Sequence, residues 1–167
     1  MNAPTIRPPE KDELPALAEL RWRWVLEQGG TPAVERERFV RDFVGWASRN
    51  ESTHRPVIML RGRKPTGMAW LALVPRVPTP YAIERYSGDV QCVYVVPEER
   101  NRGYGGSLIE ALLRIAHEIG VDRVTVHSSD RAIPAYRRYG FEYSPRLLQA
   151  GTTVVREETG TVEVGES

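Results

Sequence analysis

Residues 100–107, "RNRGYGGS", set Arg100 and Arg102 beside Gly103, Gly105 and Gly106, directly ahead of an apolar pattern with helical spacing. The first N–H groups of a helix lack intrahelical partners and carry about half an elementary positive charge, so such an end can hold an anion such as phosphate. Glycine removes side chains where backbone must approach the anion, and the two guanidinium groups add charge. An ordinary strand-to-helix turn uses the same residue types, and both readings stand. Three others fail. A dinucleotide fingerprint would need glycine where Leu108 stands, and a phosphate-binding loop of the Walker type would need a lysine, whereas Lys11 and Lys64 are the only lysines in the chain. An Arg/Gly RNA-binding segment would be repetitive, and this one occurs once. Elsewhere, Cys92 sits alone on an apolar strand and reads as packing. His127, Ser128 and Asp130 are too close in sequence for a nucleophile triad, and His54, His117 and His127 lack metal-ligand spacing.

The elements around this loop follow from pattern. Thr5-Ile6-Arg7 reads as a strand, and Leu14, Leu17, Ala18 and Leu20 as the apolar face of a helix to about Glu27, stopped by Gly29-Gly30. Thr31-Pro32 predicts the start of a second helix with the stripe Val34, Phe39, Phe43, Trp46 and Ala47. Val57 to Arg61 and Gly67 to Val74, separated by "GRKPT", predict an antiparallel hairpin. Residues 75–89 carry three prolines and end in Ser-Gly-Asp, which predicts a long loop beside a site. Val90 to Val96 is a β-branched and aromatic strand leading straight into the glycine loop. Leu108, Leu112, Ile115 and Ile119 then mark a helix that Gly120 ends. A strand at Asp122 to His127, a helix from about Arg131 to Tyr139 and a strand at Phe141 to Tyr143 complete an α/β alternation, with Leu147 to Gln149 a candidate last strand. We therefore expect one domain over residues 1–150 and a polar tail, 151–167, that is either an added strand or disordered.

With 167 residues the chain can bury about 70% of its unfolded surface and needs no disulfide or metal to hold a core. A single cysteine fits a reducing compartment. No run approaches the roughly 18 apolar residues of a membrane span, and 23 basic against 22 acidic residues exert no general pull on nucleic acid or anionic lipid. The expectation is a soluble, cytoplasmic protein without nucleic-acid or membrane partners.

Arg100 to Gly105 fits the pattern Gln/Arg-x-x-Gly-x-Gly/Ala, and "HSSDRAIPAYRRYGF", residues 127–141, supplies a serine after a strand, a short helix with a tyrosine, then Gly-Phe. In this the chain resembles the GNAT superfamily of N-acetyltransferases, closely over residues 89–143 and by order of elements over 5–75. The resemblance implies a mixed six- to seven-stranded sheet flanked by helices, whose fourth and fifth strands splay to admit the pantetheine arm of acetyl-CoA. It also implies direct attack of an amine on the thioester, with no covalent enzyme and no metal.

On that resemblance the backbone of Arg100, Asn101, Arg102, Gly103, Tyr104, Gly105, Gly106 and Ser107 clamps the pyrophosphate, and Ser129 lies in the second block of the cofactor site. Backbone N–H groups at Tyr94, Val95 and Val96 face the thioester carbonyl. Tyr136 matches the general acid that protonates the leaving thiolate, a phenol of pKa about 10 being protonated at neutral pH. Asp89 stands eleven positions before Arg100, where relatives that use a carboxylate base often have glutamate, and Glu84 and Gln91 are candidates for contacting the acceptor. The implied acceptor is a small-molecule amine. Acetylation of a protein N-terminus or lysine, and a non-catalytic acyl-CoA-binding module, are the alternatives. Dimerisation is common in the family, and no patch of this sequence is assigned to it.

Overall fold

The computed structural model describes residues 3–151. Its centre is a five-stranded sheet in sequence order: β1 (Thr5–Arg7), β2 (His54–Arg61), β3 (Lys64–Pro75), β4 (Tyr86–Val95) and β5 (Arg123–Val126). The first four strands are antiparallel and β5 joins β4 in parallel. Helices α1 (Leu14–Glu27) and α2 (Arg36–Arg49) cover one face, and α3 (Tyr104–Ile119) with α4 (Ile133–Arg138) covers the other.

Because both faces are covered, β2 and β3 read as continuous apolar runs while their alternate side chains serve two cores. Val57, Met59, Ala69 and Leu71 pack with Leu108, Ile109 and Leu112 of α3. Ile58, Leu60, Met68 and Trp70 pack with Leu17 and Leu20 of α1 and Ala47 of α2. Gly120, at φ +79°, ends α3 as the sequence led us to expect.

Several boundaries differ from expectation. The second helix starts at Arg36, not at Thr31. Helices in proteins are held chiefly by tertiary packing, and Val34 remains 39% exposed, so nothing holds the predicted first turn. The hairpin turn is two residues, Gly62 and Arg63, with Gly62 at φ +62° and Arg61 paired to Lys64. Pro65 is tolerated in β3 because the register shifts there, one more residue lying on β3 than on β2 between paired positions. Ser87-Gly88-Asp89 forms no turn and lies inside β4. A Cβ on Gly88 would stand 2.9 Å from Leu71 Cδ1, so close packing of the sheet face explains that glycine.

The predicted strands at 141–143 and 147–149 are not formed, which leaves five strands rather than six or seven among the described residues. Phe141 is held edge-on to Tyr136 at 5.3 Å, but Tyr143, Leu147 and Leu148 are exposed and no strand of the described chain pairs with the outer edge of β5. The tail expectation falls outside the described residues beyond Gly151.

β1 is tied to the turn before α1 by a two-pronged ion pair: Arg7 Nη1 and Nη2 donate to the Glu13 carboxylate at 2.7 and 2.8 Å, and the Glu10 N–H adds a third bond. Arg7, then the Glu10 N–H, hold the Glu13 carboxyl at about 2, down from 4.5. A depressed folded-state value means the stabilisation is fully present above about pH 4.5 and is lost as pH falls toward 2. Melting temperatures taken from pH 6 to 2 should fall less steeply for Glu13→Gln than for the parent chain, and equal slopes would exclude this tie as a contributor.

Candidate active site

β4 and β5 pair over only four residues, from Ser87 opposite Arg123 to Val90 opposite Val126. β4 then runs on to Val95 with no partner on its β5 side, so the two strands part beyond Val90. Within that stretch β4 bulges. Gln91 pairs with Trp70 and Tyr94 with Met68, which puts one extra residue on β4, and Cys92 takes φ +54°. A left-handed conformation at a non-glycine residue stores strain of order 1–3 kcal/mol. The bulge re-aims the strand next to the opening. Burial pushes the Cys92 thiol upward, against a pull from Arg21, and the side chain packs against the core cluster that contains Trp70 and Tyr94.

Past the bulge the Val96 N–H donates to Thr66 O at 3.0 Å. Alternate residues turn their main-chain groups to opposite edges, so those of Val95 face the open side. Its carbonyl accepts from Arg100 Nε at 2.8 Å, and its N–H points into the gap. Of Tyr94, Val95 and Val96, Val95 is the one whose main-chain groups turn away from β3.

The glycine loop follows a short turn at Pro97–Glu99 and bends through two left-handed residues, Asn101 at φ +62° and Gly103 at φ +79°. Gly103 is the N-cap of α3 and offers no side-chain oxygen, so the first N–H groups of the helix receive no side-chain cap. A Cβ at Gly103 or Gly105 would meet nothing within 4 Å, whereas one at Gly106 would lie 2.6 Å from the Tyr139 ring. Gly106 is thus a packing glycine, and Gly103 and Gly105 border open space. The arginines are engaged elsewhere: Arg100 with Glu27 at 2.6 Å and Arg102 with Glu99 at 3.6 Å. Glu99 also pairs with Arg61, which donates to the Tyr104 hydroxyl at 2.9 Å. With both arginines in ion pairs, the N–H groups that open α3 are left without a side-chain cap. Those groups and the empty space over Gly103 and Gly105 fit a pyrophosphate.

This separates site from fold. Gly105→Ala replaces a helical glycine, a change that stabilises by up to about 1 kcal/mol, yet puts a methyl group where an anion must approach. The melting temperature should hold or rise while KM for acetyl-CoA, the cofactor that the resemblance implies, increases about tenfold, near 1.4 kcal/mol. Unchanged KM would show that nothing approaches Gly105.

Asp89, inside β4, lies opposite Ala72 on one side and Thr125 on the other. Its Oδ2 accepts from Gln91 Nε2 at 2.9 Å, and the Thr125 hydroxyl lies 3.4 Å from Oδ1. Tyr136, on α4, is 8% exposed, and burial pushes its phenol up to about 12. Asp89 and Tyr136 both line a groove of about 800 Å³ with Val124, Val126, His127 and Phe141. The glycine loop is not among its walls, so the groove lies on the β5 side of the gap. Ser129 is exposed on the loop between β5 and α4, and its carbonyl accepts from the Ala132 N–H and the Ser128 hydroxyl. Glu84 is exposed in the 76–85 connection and does not line the groove. Thr125, Tyr139 and Glu27 escaped sequence reasoning. Each acts through a partner 33 to 73 residues away, and no local pattern marks that.

Among the described residues no group of three or more His, Cys, Asp or Glu side chains is placed to hold a metal ion, and no helix is long and apolar enough to cross a membrane.

The acetyltransferase (GNAT) family profile matches residues 14–141. No curated protein matches the chain. Among solved structures it is similar to a predicted acetyltransferase with acetyl-CoA from Clostridium acetobutylicum, at 17% identity over 89% of this chain and 96% of that one, TM-score 0.72. An acetyltransferase from Trypanosoma brucei is similar at 22% identity, 89% and 99% coverage and TM-score 0.69. Glucosamine-6-phosphate N-acetyltransferase from Arabidopsis thaliana is similar at 15% identity, 90% and 99% coverage and TM-score 0.68. At these identities the likeness is one of fold.

Proposed function

The chain belongs to the acetyltransferase (GNAT) family, and from that premise we propose that it transfers an acetyl group from acetyl-CoA to the primary amine of a small molecule in the cytoplasm. The observation that carries this reading is that one groove beside β5 is lined both by the Tyr136 phenol and by the Asp89 carboxylate, which Gln91 and Thr125 hold. Acetyl-CoA supplies an acetyl thioester and a thiol that leaves. Everything else falls to the chain. The N–H groups at the start of α3, over Gly103 and Gly105, hold the pyrophosphate. The Val95 N–H donates to the carbonyl oxygen as negative charge develops there, an interaction that grows in the transition state.

Asp89 takes the proton that the acceptor ammonium must lose before its nitrogen can attack, directly or through one water. As nitrogen replaces sulfur on the acetyl carbon, the second amine proton passes to solvent, and Tyr136 gives its proton to the departing sulfur and regains one from solvent. A carboxylate inside a strand, reached through a groove, suits a compact acceptor better than a folded protein surface.

Acetyl-CoA incubated with a panel of small primary amines and with lysine and N-terminal peptides decides this. Thiol release matched by N-acetylated small amine in the mass spectrum is the expected result. Acetylation confined to peptides would overturn the acceptor class, and bound coenzyme A with no turnover on any amine would leave a non-catalytic binder.

A further inference from the structure

Arg100 opens the glycine loop, yet its guanidinium is aimed away from the helix start. Nε donates to Val95 O at 2.8 Å, Nη2 donates to Glu27 Oε2 at 2.6 Å, and the plane lies 5.6 Å from the Tyr94 ring centroid. Glu27, the last residue of α1, also accepts from the Tyr94 hydroxyl through Oε1 and faces Arg23 at 3.4 Å. One carboxylate thus joins three things: the end of α1, the buried side chain just past the β4 bulge, and the arginine that occupies the Val95 carbonyl. A planar guanidinium can bridge two acceptors in fixed directions, which an ammonium cannot.

We propose that Glu27 is a positioning residue for the transfer reaction: through Arg100 it orients the open edge of β4 at Val95, and Arg100 acts on the pantetheine side of the cofactor rather than as a pyrophosphate ligand. This rests on the acetyl-CoA reading above. The Val95 carbonyl and N–H are the groups β4 presents to the gap beside the bulge. The peptide unit that carries the Val95 N–H lies between two groups tied to Glu27, the Tyr94 side chain directly and the Val95 carbonyl through Arg100, so its direction is held from both sides. Removing the Glu27 charge loosens both ties, and the donor between them loses aim. The offset of charge between Arg100 and Glu27 also explains why an arginine at the head of an anion loop need not reach the anion.

The test compares acetyl-CoA with S-acetylpantetheine, which carries the same thioester and arm but no pyrophosphate. Glu27→Gln, close in shape to the parent side chain, and Arg100→Gln should each lower kcat and kcat/KM for both donors by the same factor, about tenfold, with KM within about twofold, as expected when a donor that acts in the transition state loses its aim. Combining them should cost no more than Arg100→Gln alone. Arg100→Lys, which keeps the charge and loses the bridge, should behave like Arg100→Gln.

A defect confined to acetyl-CoA, or rescue by Arg100→Lys, would make Arg100 a phosphate ligand and overturn the inference. So would an unchanged kcat in Glu27→Gln. Should Glu27→Gln fail to fold, the Arg100 pair of variants and the two donors still decide. Titration of the parent chain with coenzyme A keeps the underlying reading separate, because absence of binding there would overturn the proposed function itself.

Discussion

Tyr136→Phe should lower kcat on the order of 10²–10³-fold and leave KM for acetyl-CoA within about twofold. The substitution removes one oxygen. The ring keeps its place in the α3 core and its edge contact with Phe141, so the fold and the cofactor side should be retained and the melting temperature little changed. What is lost is the proton for the departing sulfur. Burial raises the phenol to about 12, so the neutral form persists through the whole working range and no fall in rate below about pH 11 belongs to this group. Parent and variant should therefore show parallel pH profiles, displaced in height. A rate equal to the parent's would remove Tyr136 from the chemistry and leave it a core residue.

The second large effect is expected at Asp89. Asp89→Asn should reduce kcat/KM about 10²-fold near neutral pH, and the deficit should shrink as pH rises through the pKa of the acceptor amine. A base is needed only while the acceptor is an ammonium ion. Once solvent has deprotonated it, the carboxylate has nothing left to accept. Asparagine is close in shape and can still meet the Thr125 hydroxyl and Gln91, so the variant tests charge and basicity more than packing. A defect that stays constant from pH 6 to 10 would mean that Asp89 supports β4 and β5 structurally rather than taking a proton.

Much of this site is local in sequence and for that reason legible there. The strand into Val95, the glycines that open α3 and the Gly120 stop each depend on residue types within a few positions of one another. The family profile over residues 14–141 agrees with the resemblance drawn from Arg100 to Gly105 and the block around Tyr136. What was hidden depends on distant partners. Gly106 looks like Gly103 and Gly105 in sequence, and only the Tyr139 ring distinguishes it. The ion pair of Arg100 with Glu27, 73 residues earlier, has no mark in the residues around either one. Ser-Gly-Asp looks like a turn because the reason for Gly88, Leu71 against the sheet face, belongs to another strand. The bulge at Cys92 has no compositional mark, since a valine- and tyrosine-rich strand gives no sign of where one residue will be extra. Phe141 to Tyr143 has strand composition but finds no neighbouring strand among the described residues.

The most direct test of the whole arrangement is a crystal structure with coenzyme A bound. We expect the pyrophosphate on the N–H groups that open α3 over Gly103 and Gly105, the arm passing between β4 and β5 beside Val95, and the sulfur within about 3.5 Å of the Tyr136 hydroxyl. A cofactor lying wholly in the groove on the far side of β5, with the glycine loop untouched, would contradict it.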